Sequence, residues 1–130
     1  MEIKEAHTII DGLDVLGRIC HEASVANGWW QDKDGNDIGD NPFVKATKLG
    51  LIISEVVEAM EGERKDLMDT HLTYRKMVEV ELADVVIRLM DYARKQRLDI
   101  AGACIDKLAY NAGRADHKKE NREAVGGKKF

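Results

Sequence analysis

The chain has 130 residues, 44% of them apolar and 34% charged, with a formal net charge of −4. That length suits one domain over residues 1–130 with a core of its own, and the composition suits a soluble, helix-rich protein. The charge balance excludes a global basic field for a nucleic-acid polymer, and no apolar run approaches the roughly 18 residues a membrane span needs.

A polyanionic ligand would therefore have to be met by metal ions and a few local Lys or Arg. The opening Met1-Glu2-Ile3-Lys4-Glu5 lacks the basic start and apolar run of a secretory signal, so a cytoplasmic location is expected. Cys20 and Cys104 each sit inside an apolar helical pattern without a CxxC neighbour, and are expected as buried free thiols.

The first helix is predicted over Ile3 to Ala26, where Ile9, Ile10, Leu13, Leu16, Ile19 and Cys20 recur at three- and four-residue steps. A loop follows over residues 27–41, with Gly28, Gly35, Gly39 and the aspartates 32, 34, 37 and 40, and with Trp29 and Trp30 at its start. Pro42 suits the first turn of a second helix running to Lys65, with Leu49, Ile52, Ile53, Val56, Val57 and Met60 as its apolar stripe. A polar turn at Asp66 to Thr70 leads to a third helix over Leu72 to Gln96, the most apolar of the set. Asp99 can cap a fourth helix running to Arg114, and residues 115–130 read as a basic, mobile tail. The expected fold is an all-α four-helix bundle.

Two acidic pairs stand out, Glu55 with Glu58 and Glu81 with Asp84. At i, i+3 spacing two side chains point about 60° apart and are separated by about 4.5 Å along the helix, so each pair can reach one cation. Oxygen donors with negative charge suit hard divalent ions. The alternative is a set of ordinary solvent-facing acids. The second-helix pair alone fits either reading. On the third helix Val80 and Ile87 flank the acidic sector and Met77 projects into it, which places those carboxylates near the margin of a core.

Other metal chemistries find no support. None of His7, His21, His71 or His117 has a Glu three residues before it, as di-iron bundles require. His21-Glu22 begins like a zincin helix, but Val25 stands where the second histidine belongs. The histidines have no Cys or His partner at zinc spacing. There is no Walker loop, GxGxxG or GxSxG.

The segment Lys48-Leu49-Gly50-Leu51-Ile52-Ile53-Ser54-Glu55-Val56-Val57-Glu58-Ala59-Met60 resembles the first signature of MazG-like nucleoside triphosphate pyrophosphohydrolases. Glu81-Leu82-Ala83-Asp84-Val85-Val86-Ile87-Arg88 resembles the second, and Lys107 to Arg114 resembles the Lys, Asn and Arg of that family's last helix. The closing Gly-Gly-Lys-Lys-Phe is similar to the ends of small phage and mobile-element members, so the resemblance covers roughly residues 42 to 130. One departure is Ser54, where many relatives carry a second glutamate.

The resemblance implies an all-α fold completed by a homodimer or homotetramer, and Mg²⁺ dependence with one or more ions on Glu55, Glu58, Glu81 and Asp84. It also implies hydrolysis of (deoxy)nucleoside triphosphates at the α-phosphorus to monophosphate and pyrophosphate. Lys107, Asn111 and Arg114 fall on one stripe at i, i+4, i+7 and read either as phosphate contacts or as a solvated polar stripe. Lys48, on the Glu55 face, reads as a phosphate contact or as a partner of the acids. Trp29 is the candidate base contact, the alternative being that a tryptophan pins the loop. No residue selects the base or sugar, and which carboxylate activates water stays open. Two other readings remain: a phosphoribosyl-ATP pyrophosphohydrolase with the same acidic logic, and a non-catalytic helical dimerisation or regulatory module.

Overall fold

The computed structural model describes residues 1–128; Lys129 and Phe130, the last two residues of the Gly-Gly-Lys-Lys-Phe ending, lie outside the described residues. The chain is all-α: α1 (Ile3–Ala26), α2 (Pro42–Lys65), α3 (Met77–Lys95), α4 (Ile100–Ala112), a 3-10 turn (Ala115–His117) and the short α5 (Lys119–Glu123). The fold class and the four long helices expected from the sequence are present. No helix among the described residues is long and apolar enough to cross a membrane.

The helix ends follow from local chemistry. Asn41 Oδ1 accepts from the backbone N–H of Phe43 (2.9 Å) and of Val44 (3.4 Å), and Pro42 fills the first helical position of α2, where no N–H is missed. Asp66 stops α2 in a left-handed conformation (φ 48°). Asp99 Oδ1 accepts from Gly102 N at 2.8 Å and starts α4. The third helix begins five residues later than the apolar pattern predicts, at Met77 instead of Leu72. Asp69 accepts from the N–H groups of His71 (2.8 Å) and Leu72 (2.5 Å), and Met77 N donates back to Leu67 O (2.9 Å). This Asx-type turn competes with the first helical turn and wins.

The contacts divide into two compact units, Asp14–Leu98 and a second formed by Met1–Leu13 with the segment from Asp99 onward. In the second of these, the segment read as a tail carries the 3-10 turn and α5. Asp116 there accepts from Arg114 (2.9 and 2.5 Å) and from Lys128 (2.9 Å).

In the unit Asp14–Leu98, α2 lies along α3. The face it buries is Glu55, Ala59 and Gly62, not the apolar stripe that the sequence singles out. Leu49, Ile53, Val56, Val57 and Met60 are all exposed in the single chain. The small side chains at positions 59 and 62 explain the choice of face, because they let the two backbones approach closely: a Cβ at Gly62 would sit 3.0 Å from the Met77 side chain and 3.1 Å from Val78 N.

The C-terminal half of α3 is fastened by Asp91. Its buried carboxylate accepts from His21 Nδ1 (2.7 Å), Ser24 Oγ (2.8 Å) and Trp30 Nε1 (2.9 Å), tying the C-terminal part of α1 and the 27–41 loop to α3. Trp30 is 2% exposed and pins the loop. Cys20 is buried as expected, whereas Cys104 is exposed; its position in α4 turns the thiol away from packing.

Helix propensity alone would favour alanine at any helical glycine by about 1 kcal/mol. The structure reverses that sign at Gly62, where the added Cβ would meet the α3 backbone. Gly62→Ala is expected to lower stability by about 1–3 kcal/mol through overpacking against α3. Gly12→Ala in α1, with nothing within 4 Å of its Cβ, is expected to raise it. Urea denaturation of both variants checks the pair.

Candidate functional site

Four polar residues of α3 form one stripe. Glu81, Asp84, Arg88 and Asp91 recur at i, i+3, i+7 and i+10 on a helix that is otherwise largely apolar. From α2, Glu55 projects onto the same place. One carboxylate oxygen each of Glu55, Glu81 and Asp84 lies within 4.8 Å of the others. Glu55 and Glu81 are buried and Asp84 is half-buried.

Only part of this charge is compensated. Arg88 Nε donates to Glu55 Oε1 at 2.7 Å. Among the described residues no ion pair neutralises Glu81 or Asp84. Burial pushes the Glu81 carboxyl above its usual range, and the charges of Glu58, Glu55 and Asp84 push it further. Burial likewise raises Asp84, helped by Glu55 and opposed by the Arg88 guanidinium. Glu58 is exposed and outside the three-oxygen cluster. Its charge still helps to raise the Glu81 carboxyl, which makes it an outer neighbour of the cluster.

A cleft of about 460 Å³ opens beside Asp84, a size within the usual range for small-molecule sites. Asp84, Arg88 and Asp91 line it from α3, with Asn27, Trp29 and Lys48 among the residues opposite. Trp29 is 65% exposed at this cleft, in contrast to its buried neighbour Trp30. Lys48 Nζ donates to the Trp29 carbonyl at 2.9 Å and lies 4.4 Å from the Trp30 ring centroid. Burial lowers the Lys48 pKa. The ammonium thus braces the tryptophan end of the cleft.

The structure therefore brings Glu55, Glu81 and Asp84 together, puts Glu58 at their margin, and sets Lys48 and Trp29 on the adjoining cleft. Lys107, Asn111 and Arg114 belong to the other compact unit. There Lys107 Nζ lies 4.8 Å from the Tyr110 ring centroid, and Arg114 is held by Asp116. The Asn111 Oδ1 atom is buried with no hydrogen-bond partner among the described residues.

Sequence reasoning passed over Arg88 and Asp91 as separate members of the site, and with them His21 and Ser24. The signal was present for the first two: a polar side chain at every third or fourth position along one face of α3. His21 and Ser24 carry no such signal, since their role depends on how α1 meets α3. No matching family model, curated protein or solved structure was found for the chain.

The donor set fits a hard divalent cation. All three groups offer carboxylate oxygen, no thiolate or imidazole belongs to the cluster, and two of the acids lack a protein counter-charge. Without an ion, mutual repulsion should oppose folding. An acid whose pKa is raised in the fold binds its proton more tightly folded than unfolded, so its ionisation destabilises the fold as pH rises through and above the ordinary carboxylate range. Glu81→Gln is therefore expected to raise the thermal midpoint of the chelator-treated protein at pH 7. The gain should shrink to nothing as pH falls below that range. A variant less stable than the wild type at pH 7 would show that Glu81 is held by favourable contacts instead.

Proposed function

We propose that the chain is a Mg²⁺-dependent nucleoside triphosphate pyrophosphohydrolase of the MazG-like kind, releasing monophosphate and pyrophosphate. The observation that carries the reading is the convergence of Glu55, Glu81 and Asp84, from two helices, within 4.8 Å, with Asp84 also lining a cleft of about 460 Å³. The likeness of residues 48–60 and 81–88 to the family signatures supplies the bond cleaved.

Glu55, Glu81 and Asp84 would hold the ion, and Glu58, at their margin, would add negative charge beside it. Bound there, Mg²⁺ supplies polarisation of the phosphate oxygens and a lower pKa for water. The protein's own part is positioning and charge. A water oxygen forms the new bond to the α-phosphorus, the bridging oxygen leaves with pyrophosphate, and a carboxylate of the cluster accepts the water's proton. Trp29 offers an exposed ring for stacking on the base, while Lys48 fixes the backbone that presents it.

The assay is incubation of the purified chain with each NTP and dNTP, with and without Mg²⁺. Equimolar pyrophosphate and monophosphate, formed only with Mg²⁺, are expected, and Glu81→Ala should cut turnover by about a hundredfold or more. Orthophosphate with diphosphate would mean a different bond and a different mechanism. Undiminished hydrolysis by Glu81→Ala would remove the cluster from the site.

The same reading includes a homo-oligomer. Leu49, Ile53, Val56, Val57 and Met60 make a continuous exposed apolar stripe on α2, and Leu82, Val86 and Leu89 are exposed on α3. Contiguous apolar surface of this kind marks an interaction face. Light scattering after size exclusion should give a dimer or tetramer for the wild type and a smaller species for Val57→Asp. A monomeric wild type would refute this part of the proposal.

A further inference from the structure

Resting on the reading of the carboxylate cluster as a divalent-cation site, we infer that Arg88 is the anion-binding residue of the cleft, and that Glu55 holds it in place until phosphate arrives. Arg88 sits one turn beyond Asp84 and lines the open cleft. Its side chain is 42% exposed although its Nε is bound to a 9%-exposed glutamate. One edge of the guanidinium is thus anchored at the cluster. Its terminal NH1 and NH2 groups make no hydrogen bond to any described residue, and they leave the planar fork free for the paired oxygens of a phosphate.

The other cation on this cleft is committed elsewhere. Lys48 Nζ donates to the Trp29 carbonyl and is packed over the Trp30 ring. Arg88 is the cation that both binds a carboxylate of the cluster and lines the cleft beside Asp84, with donors to spare. The cost of this arrangement falls on Glu55. An oxygen that accepts from Arg88 cannot at the same time serve a cation without the positive charges crowding, so Arg88 and a divalent ion compete for it.

That competition gives a test with opposite signs for a binding role and a structural one. Mn²⁺ binding is measured without nucleotide, by calorimetry, on the wild type, Arg88→Gln and Arg88→Lys. Binding of a deoxynucleoside triphosphate with an uncleavable α,β-methylene bridge is then measured at saturating Mn²⁺. Arg88→Gln is expected to bind Mn²⁺ several-fold more tightly than the wild type, yet to bind the analogue about tenfold or more weakly. Arg88→Lys should recover part of the analogue affinity, and the Mn²⁺ measurement keeps the test open should one variant be unstable.

If Arg88 only braces α2 against α3, its removal loosens the cluster and Mn²⁺ binds more weakly, which overturns the inference. Unchanged affinity for the analogue overturns it as well. A wild type that binds no Mn²⁺ would remove the cation site and this inference with it, whereas Mn²⁺ binding by the wild type with no gain in Arg88→Gln rejects the inference alone.

Discussion

Glu55, Glu81 and Asp84 share a partly dry space between α2 and α3 with a single guanidinium for company, and most features of this half of the chain are arranged around that crowding. Like charges in a low-dielectric setting repel strongly, and a fold keeps them there only where other contacts hold the helices in register. Two sets of contacts do so here. On the α2 side Ala59 and Gly62 bring the backbones close enough for Glu55 to reach the α3 acids. Two turns beyond Asp84 on the same face of α3, Asp91 gathers three donors from α1 and the tryptophan loop. The strain at the carboxylates is thus carried by packing on α2 and by hydrogen bonds further along α3.

The same helix distributes the chemistry. Along α3 the sequence passes from uncompensated acid (Glu81, Asp84) through a cation (Arg88) to an acid saturated with donors (Asp91), a turn or less at each step. Only the first two can offer free oxygen to a cation. Asp91, though also a buried carboxylate on the cleft, has its lone pairs occupied and acts as an anchor. Distinguishing these roles needs the partners of each acid; its residue type is not enough. A triphosphate laid along the stripe would meet divalent charge at one end and the Arg88 fork next to it, with the Trp29 ring and its Lys48 brace across the cleft.

Much of the fold was legible because its signals are local. The limits of α1 and α2 follow from periodicity, Pro42 and turn-forming residues, and they agree with the structure residue for residue. The acids were legible by spacing, and their convergence on adjacent helices could be anticipated. The late start of α3 was not, since the Asp69 turn competes with helix through hydrogen bonds that apolar periodicity does not register. Nor was the location of Lys107, Asn111 and Arg114 in a separate compact unit, because a stripe on a helix says nothing about what the helix packs against. The split between Trp29 and Trp30 depends on Asp91, sixty-one residues beyond Trp30, and no pattern in the loop foretells it.

The least legible feature was the direction in which α2 faces, and it connects the site to the surface. An apolar stripe ordinarily points into the core, yet on α2 the buried face is Glu55, Ala59 and Gly62, while Ile53, Val57 and Met60 stand exposed. The two facts have one cause. Glu55 and the stripe lie on opposite sides of the same helix, so turning the stripe inward would carry Glu55 away from Glu81 and Asp84 and open the cluster. Close approach through Ala59 and Gly62 fixes the rotation that builds the carboxylate site, and that rotation leaves the stripe uncovered. In a chain whose buried apolar residues, among those described, are mainly Cys20, Trp30, Ala59, Met90, Ala93 and Ala101, such a stripe holds a large share of the surface still available for burial. A second copy placed over it would add hydrophobic stabilisation on the one side of α2 that can accept it without disturbing the acids. Catalytic geometry and self-association would then be two consequences of the same helix orientation, and a substitution at Ala59 or Gly62 that rotates α2 should alter both together.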